Sequence, residues 1–282
     1  MRISERVVLS FFAWSSLLAI CLPVAPEVRL RILVWNAAVL LVYLFVLRFR
    51  RAPWMEFVRD WLPQALVILA YKQMGWFAPS THSHLLEHRW IVWDRILLDD
   101  WGIRAGIEFL GPVVPALLES SYVLVYALPV VSMAVLYGLN EKSRSDTLLT
   151  IYLLGMFLCY GQFPFWPSEP PRTVFPGQDL PQVTSWIRNF NLWIVGGYGI
   201  HTSVFPSAHV SGAVATAFGM ACLFPKRRGL IAGYGIYAVL VAVATVYGRY
   251  HYAVDALGGV IVGLGAYFLG KWLTRPSRSS SV

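Results

Sequence analysis

Apolar residues gather into eight runs of roughly 20 positions, each long enough to cross about 30 Å of hydrocarbon at about 1.5 Å per helical residue. The runs are Val7–Val24, Leu30–Leu47, Phe57–Phe77, Val113–Leu139, Leu148–Trp166, Val204–Phe224, Leu230–Tyr247 and Val254–Leu273. They predict an all-α polytopic membrane bundle of about eight transmembrane helices. The third run is the weakest, because Arg59, Asp60 and Lys72 confine its uncharged centre to Trp61–Tyr71, a pattern compatible with a tilted or re-entrant segment. The first follows Arg2 and Arg6 in the manner of a signal-peptide core. No small-x-small cleavage pattern stands out, and Arg29 and Arg31 lead into another span, so a retained helix is expected.

Composition agrees: 57% of residues are apolar and only 13% charged, against about 45–50% and about 25% in soluble domains. The net charge of +8 would fit a nucleic-acid partner, but the basic residues stand beside the apolar runs rather than along one soluble face, so no nucleic acid is expected. Cys21, Cys159 and Cys222 all lie within apolar runs and read as packing residues, not as a disulfide framework or a metal site. Gly259 and Gly263 in the last run form a stripe of small residues. Ser207, Ser211, Ala215 and Gly219 form another in the sixth, and both predict close helix approach.

Arginine and lysine also orient the chain, since loops rich in them stay on the cytoplasmic side. With both termini inside and eight spans, the cytoplasmic segments hold Arg2 and Arg6; Arg48, Arg50 and Arg51; Lys142 and Arg144; Lys226, Arg227 and Arg228; and Lys271, Arg275 and Arg278. The loop 167–203 and the turn 248–253 then face the opposite, extracytoplasmic side.

That side carries the candidate chemistry. In F-P-S-A-H, Phe205–His209, Pro206 and Ser207 are suited to open a helix whose free amides and positive dipole end would bind phosphate, with His209 in the first turn. In R-Y-H-Y-A-V-D, Arg249–Asp255, His251 and Asp255 are four residues apart, so a helix would put them on one face. The carboxylate can hold one ring nitrogen of His251 and leave the other as a nucleophile. Arg172, in P-S-E-P-P-R at Pro167–Arg172, offers the forked contacts a phosphoryl group requires.

These three elements, in this order, resemble the type 2 phosphatidic acid phosphatase superfamily over roughly Val113–Leu273. The resemblance implies a six-helix catalytic core. It also implies that the residue at His251 attacks phosphorus, that the one at Asp255 orients it, and that the one at His209 protonates the leaving alcohol and later activates water or another alcohol. Arg172, Ser207 and Arg249 would bind phosphate, and neither metal nor cofactor would be needed. The pattern departs from the family's: Phe165 and Thr173 stand at the lysine and proline of the first motif, Ala208 at the glycine of the second, and Ala244 and Thr245 at the serine and arginine of the third. This variation looks closest to the branch of inositol phosphorylceramide synthases and sphingomyelin synthases and its bacterial relatives, which implies a bacterial cytoplasmic membrane. The expected organisation is N-terminal transmembrane helices at 1–78, an interfacial amphipathic segment at 79–112, a phosphatase-like core at 113–273 and a disordered cytoplasmic tail at 274–282.

The implied activity is that of a lipid phosphatase or phosphotransferase acting on phosphoric esters of lipids at the bilayer surface. Transfer of a headgroup to an alcohol is the nearest alternative, and a non-catalytic transporter or lipid-binding protein is the alternative of another class. One further motif stands apart. H-L-L-E-H, His84–His88, matches an inverted zinc-protease pattern in which His84 and His88 would ligate zinc beside Glu87, but no third ligand is identifiable. The tryptophans, leucines and charges that follow suit a helix lying in the headgroup region, where Asp94, Asp99 and Asp100 could touch a polar headgroup.

Overall fold

The computed structural model describes residues 1–79, 82–200, 202 and 204–275, so most of the terminal tail lies outside the described residues. All regular structure among the described residues is helical. The helices are α1 (Ile3–Cys21), α2 (Pro26–Arg48), α3 (Met55–Gly75), α4 (Leu85–Arg95), α5 (Ile103–Phe109), α6 (Val113–Leu124), α7 (Leu128–Gly138), α8 (Ser145–Tyr160), the short α9 (Pro171–Val174), α10 (Trp186–Tyr198), α11 (Ala208–Leu223), α12 (Arg228–Tyr247) and α13 (Ala253–Leu273). Every apolar run is helical, and the chain is a polytopic helical bundle. Among the described residues, five segments are long and apolar enough to cross a membrane: α1, α2, the stretch Lys142–Phe165 around α8, α12 and α13. The pair α5 and α6, bent by 110°, would make a sixth.

Two of the expected spans need correction or explanation. The run Val113–Leu139 is not one helix: it is interrupted at Val125–Ala127, just before Pro129, and divides into α6 and α7. The charged third run is helical throughout, because its charges are partnered inside the protein. Arg59 grips Glu5 of α1 through two hydrogen bonds of 2.5 and 3.0 Å, and Asp60 takes Arg2 at 2.5 Å, Tyr137 at 2.6 Å and Ser145 at 2.8 Å. Deeper in, Ser15, Asn36 and Gln73 link α1, α2 and α3 through buried side-chain hydrogen bonds. Such partners offset the cost of polar groups in a non-aqueous interior.

The centre of the bundle is α8, α11 and α13. Nearly all of α11 is buried, whereas α12 and α13 turn Ile236, Val239, Leu257, Ile261 and Phe268 outward, as helices bathed in lipid do. Small residues make the central approach possible. A Cβ on Gly259 would stand 2.5 Å from the Ser207 carbonyl oxygen, one on Gly263 2.8 Å from that of Ser211, and one on Gly155 3.0 Å from Ala215 Cβ. Ser211 Oγ donates to the Gly155 carbonyl at 2.8 Å and ties α11 to α8.

The segment after α3 lies across this bundle. Its α4 buries Glu87, Ile91 and Asp94, one face of a helix, and exposes Val92 and Trp93. A single π-helical turn, Ile96–Asp100, and Gly102 at φ 68° then redirect the chain into α5, leaving Trp101 and Phe109 exposed.

Candidate active site

Helix α11 begins where the sequence places a cap: Ser207 Oγ accepts the Val210 N–H at 3.4 Å. Helix α13 begins with Asp255 Oδ2 accepting the Tyr252 N–H at 2.8 Å. The two starts are joined directly, since the Ser207 N–H donates to the Asp255 carbonyl at 2.9 Å. The glycine seam below them sets this distance, so packing in the bundle positions the two histidines.

The three residues expected to be catalytic, His209, His251 and Asp255, are together. His251 Nδ1 lies 3.3 Å from Asp255 Oδ2, His251 Nε2 lies 3.4 Å from His209 Nδ1, and His209 Nε2 lies 3.1 Å from the Tyr126 hydroxyl. One assignment of protons serves all of these contacts. Tyr126 O–H donates to His209 Nε2, His209 Nδ1–H to His251 Nε2, and His251 Nδ1–H lies near the carboxylate without a hydrogen bond to it. The lone pair on His251 Nε2 is then the acceptor of the bond from His209. Burial is the main reason that the His251 imidazole is pushed down to about 3, with the nearby positive charge of Arg172 acting in the same direction. The ring is therefore neutral at physiological pH.

Arg172, just inside α9, donates to the Tyr250 carbonyl at 3.4 Å, and its guanidinium lies 5.4 Å from the centre of the Tyr250 ring. It is part-exposed beside the histidines. Arg249 lies elsewhere: it is 1% exposed and donates to Asp94 Oδ2 of α4 at 2.6 Å, while its Nε and Nη2 have no partner. Its backbone is left-handed, φ 62°. Asp94 Oδ1 accepts the Ala253 N–H at 2.8 Å. Both oxygens of Asp94 are thus engaged within the protein, which overturns its expected contact with a lipid headgroup; Asp99 pairs instead with Arg104 at 3.2 Å. Burial raises Asp94 to about 6 against the opposing pull of Arg249.

A second buried network supports the turn between α12 and α13. Glu119 of α6 takes Arg188 at 2.7 Å, Asn191 at 2.7 Å and the Tyr250 hydroxyl at 2.7 Å, and Arg188 also donates to the Gly248 carbonyl at 3.2 Å. Tyr250 stacks on Tyr122, ring centres 3.8 Å apart, and Tyr122 in turn lies beside His209 at 5.1 Å. The motifs gave no hint of Tyr126, Glu119 or Arg188. A buried acid and a buried base within otherwise apolar or aromatic helices were the available signal for the last two.

The two H-L-L-E-H histidines do not converge on each other. His88 packs edge-on against Phe175 at 5.3 Å, whereas His82, outside that motif, lies 2.8 Å from Glu87 Oε1, and His84 Nδ1 lies 3.4 Å from the same oxygen.

Fold and site define a multi-pass helical membrane protein with a paired-histidine centre at one end of its core. The family model of the PAP2 superfamily matches residues 90–269, more than half of the chain, and the chain belongs to that superfamily. Membership supports a phosphatase-type activity on lipid phosphoesters. No curated protein and no solved structure matches the chain.

Proposed function

We propose that this protein is a lipid phosphatase or phosphotransferase working through a phosphohistidine on His251. The observation that carries the reading is the juxtaposition of Asp255, His251, His209 and Tyr126, neighbour to neighbour at 3.1–3.4 Å, in which the His251 Nε2 lone pair is held only by the displaceable His209 ring. In the first step that nitrogen attacks phosphorus, a P–N bond forms and the P–O bond to the lipid alcohol breaks. His209, protonated to the imidazolium once the anionic phosphate lies beside it, delivers that proton to the departing oxygen and is left neutral. In the second step His209 removes a proton from water or an alcohol, whose oxygen attacks phosphorus as the P–N bond breaks. Hydrolysis and headgroup transfer differ only in that attacking molecule. Asp255 keeps the His251 proton on Nδ1, and Arg172 supplies positive charge to the phosphoryl oxygens.

At 3.4 Å from His251 Nε2, His209 Nδ1 occupies the distance that phosphorus needs for attack, about 3–3.5 Å. Substrate entry therefore turns the His209 ring aside, away from Tyr126. The exposed Lys226, Arg227 and Arg228 follow the other end of α11, and the positive-inside rule applied to them supports a site on the extracytoplasmic side.

The test is product analysis in mixed lipid micelles containing chelator, phosphatidic acid, isoprenoid diphosphate and phosphoinositide, with ceramide and diacylglycerol as acceptors. Free phosphate released by the wild type and not by His251→Ala identifies a phosphatase, and a new phospholipid without free phosphate identifies a transferase. Equal turnover by the two proteins overturns the phosphohistidine route.

A further inference from the structure

The imidazoles of His82 and His84 and the carboxylate of Glu87 offer ligand atoms that all lie within 4.8 Å of one another. Tetrahedral ligands at about 2.0–2.2 Å from zinc stand roughly 3.4 Å apart. The His84–Glu87 separation of 3.4 Å matches that value and the His82–Glu87 separation of 2.8 Å falls short of it, so small side-chain rotations suffice to admit an ion. Glu87 is fully buried and its Oε2 has no partner, which leaves a carboxylate oxygen in a dry place without the hydrogen bond it requires. His84 is 41% exposed on its side chain and opens the cluster to solvent, giving an ion a way in and a fourth position for water.

We infer that His82, His84 and Glu87 form a site for a borderline divalent transition metal of the zinc type, separate from the histidine pair that performs the chemistry. Two imidazoles and one carboxylate suit zinc and disfavour calcium and magnesium, which take oxygen ligands.

The site reaches the catalytic end through the backbone. Glu87 Oε1 accepts the Glu169 N–H at 3.0 Å, and Glu169 belongs to the same loop as Arg172, three residues further on. An ion on Glu87 would fix that carboxylate, and through it the loop that holds Arg172. The metal's role is therefore positional, and no step of phosphoryl transfer passes through it.

The site is tested on the full-length protein purified through a tag without histidines, loaded with zinc and dialysed against metal-free buffer, with bound metal measured by elemental analysis. The expected result is one zinc per chain in the wild type, in His88→Ala and in His251→Ala, falling to background in His82→Ala and Glu87→Gln. If either buried variant fails to fold, His84→Ala, which truncates a part-exposed side chain, replaces it and is expected to lose the metal as well. Wild-type protein without bound zinc overturns the assignment, as does zinc retained by the folded variants. Because stoichiometry is read without substrate, failure here is distinguishable from failure of the phosphohistidine reading.

Discussion

Arg249 and Asp94 form an ion pair of 2.6 Å between side chains that are each 1% exposed, although 155 residues separate them. The pair fastens helix α4 to the turn that carries His251. Removing one member of such a pair strands the other as a buried charge, at a cost of about 3–5 kcal/mol. Asp94→Ala is expected to lose stability on that scale in thermal unfolding of the detergent-solubilised protein. A loss below about 1 kcal/mol, the range of exposed pairs, would show that the two residues are not coupled in this way.

The same carboxylate sets the expected pH dependence. Asp94 titrates at about 6, ionised above that pH and holding Arg249, protonated below it and releasing it. His251, held at about 3, remains neutral across this window and stays a nucleophile. Turnover should therefore fall as pH drops through about 6, and Asp94→Asn should flatten that limb at a lower plateau. Stability moves the other way. The folded value lies above that of an unfolded carboxylate near 4, so the contribution of Asp94 to stability declines as pH rises from about 4 to about 6. An unchanged acid limb in Asp94→Asn would assign it to another group.

The two histidines should fail differently. His251→Ala should neither turn over nor become labelled by a phosphorylated substrate. His209→Ala should lose about 10²–10⁴-fold in turnover of alkyl phosphoesters, the usual worth of proton transfer. With p-nitrophenyl phosphate, whose leaving group needs no proton, the same variant should still complete the first step and accumulate acid-labile phosphoprotein. Absence of label in that variant would remove His209 from its role as acid and base.

The seam between α11 and α13 can be opened by one methyl group. Gly259→Ala puts a Cβ only 2.5 Å from the Ser207 carbonyl oxygen, inside van der Waals contact, so the helices must separate at the level of the site. Stability should drop by about 1–3 kcal/mol, with a larger proportional loss in turnover. Gly265→Ala, which meets nothing within 4 Å, should behave as wild type in both assays. Indistinguishable behaviour of the two variants would show that the seam does not position the histidines.

Helix after helix was legible because twenty consecutive apolar residues have few other structural outcomes. The break at Val125–Ala127 was not, since those residues are as apolar as their neighbours and hydropathy does not register a turn. His209, His251 and Asp255 could be placed together from spacing because each lies in the first turn of a helix or within two residues before it, where local geometry settles direction. Asp94 was visible only as one acid among three, and the guanidinium that claims it lies far along the chain. His82 escaped notice because ligand spacing was sought along one helix face, and His82 precedes the first turn of α4. The tolerance of α3 for Arg59 and Asp60 likewise depends on Glu5 and Arg2, partners that no window along the third run contains.

The length of α11 bears on which molecule finishes the reaction. At 16 residues it spans about 24 Å, short of the roughly 30 Å of hydrocarbon. On the proposed topology Lys226, Arg227 and Arg228 would hold its far end among headgroups, and the shortfall would come at Ser207 and His209. The phosphorus would then be met several ångströms beneath the aqueous boundary, where water is dilute. Bilayer thickness, varied through acyl-chain length, becomes a control on product ratio: thicker membranes favour alcohol acceptors and thinner ones favour water.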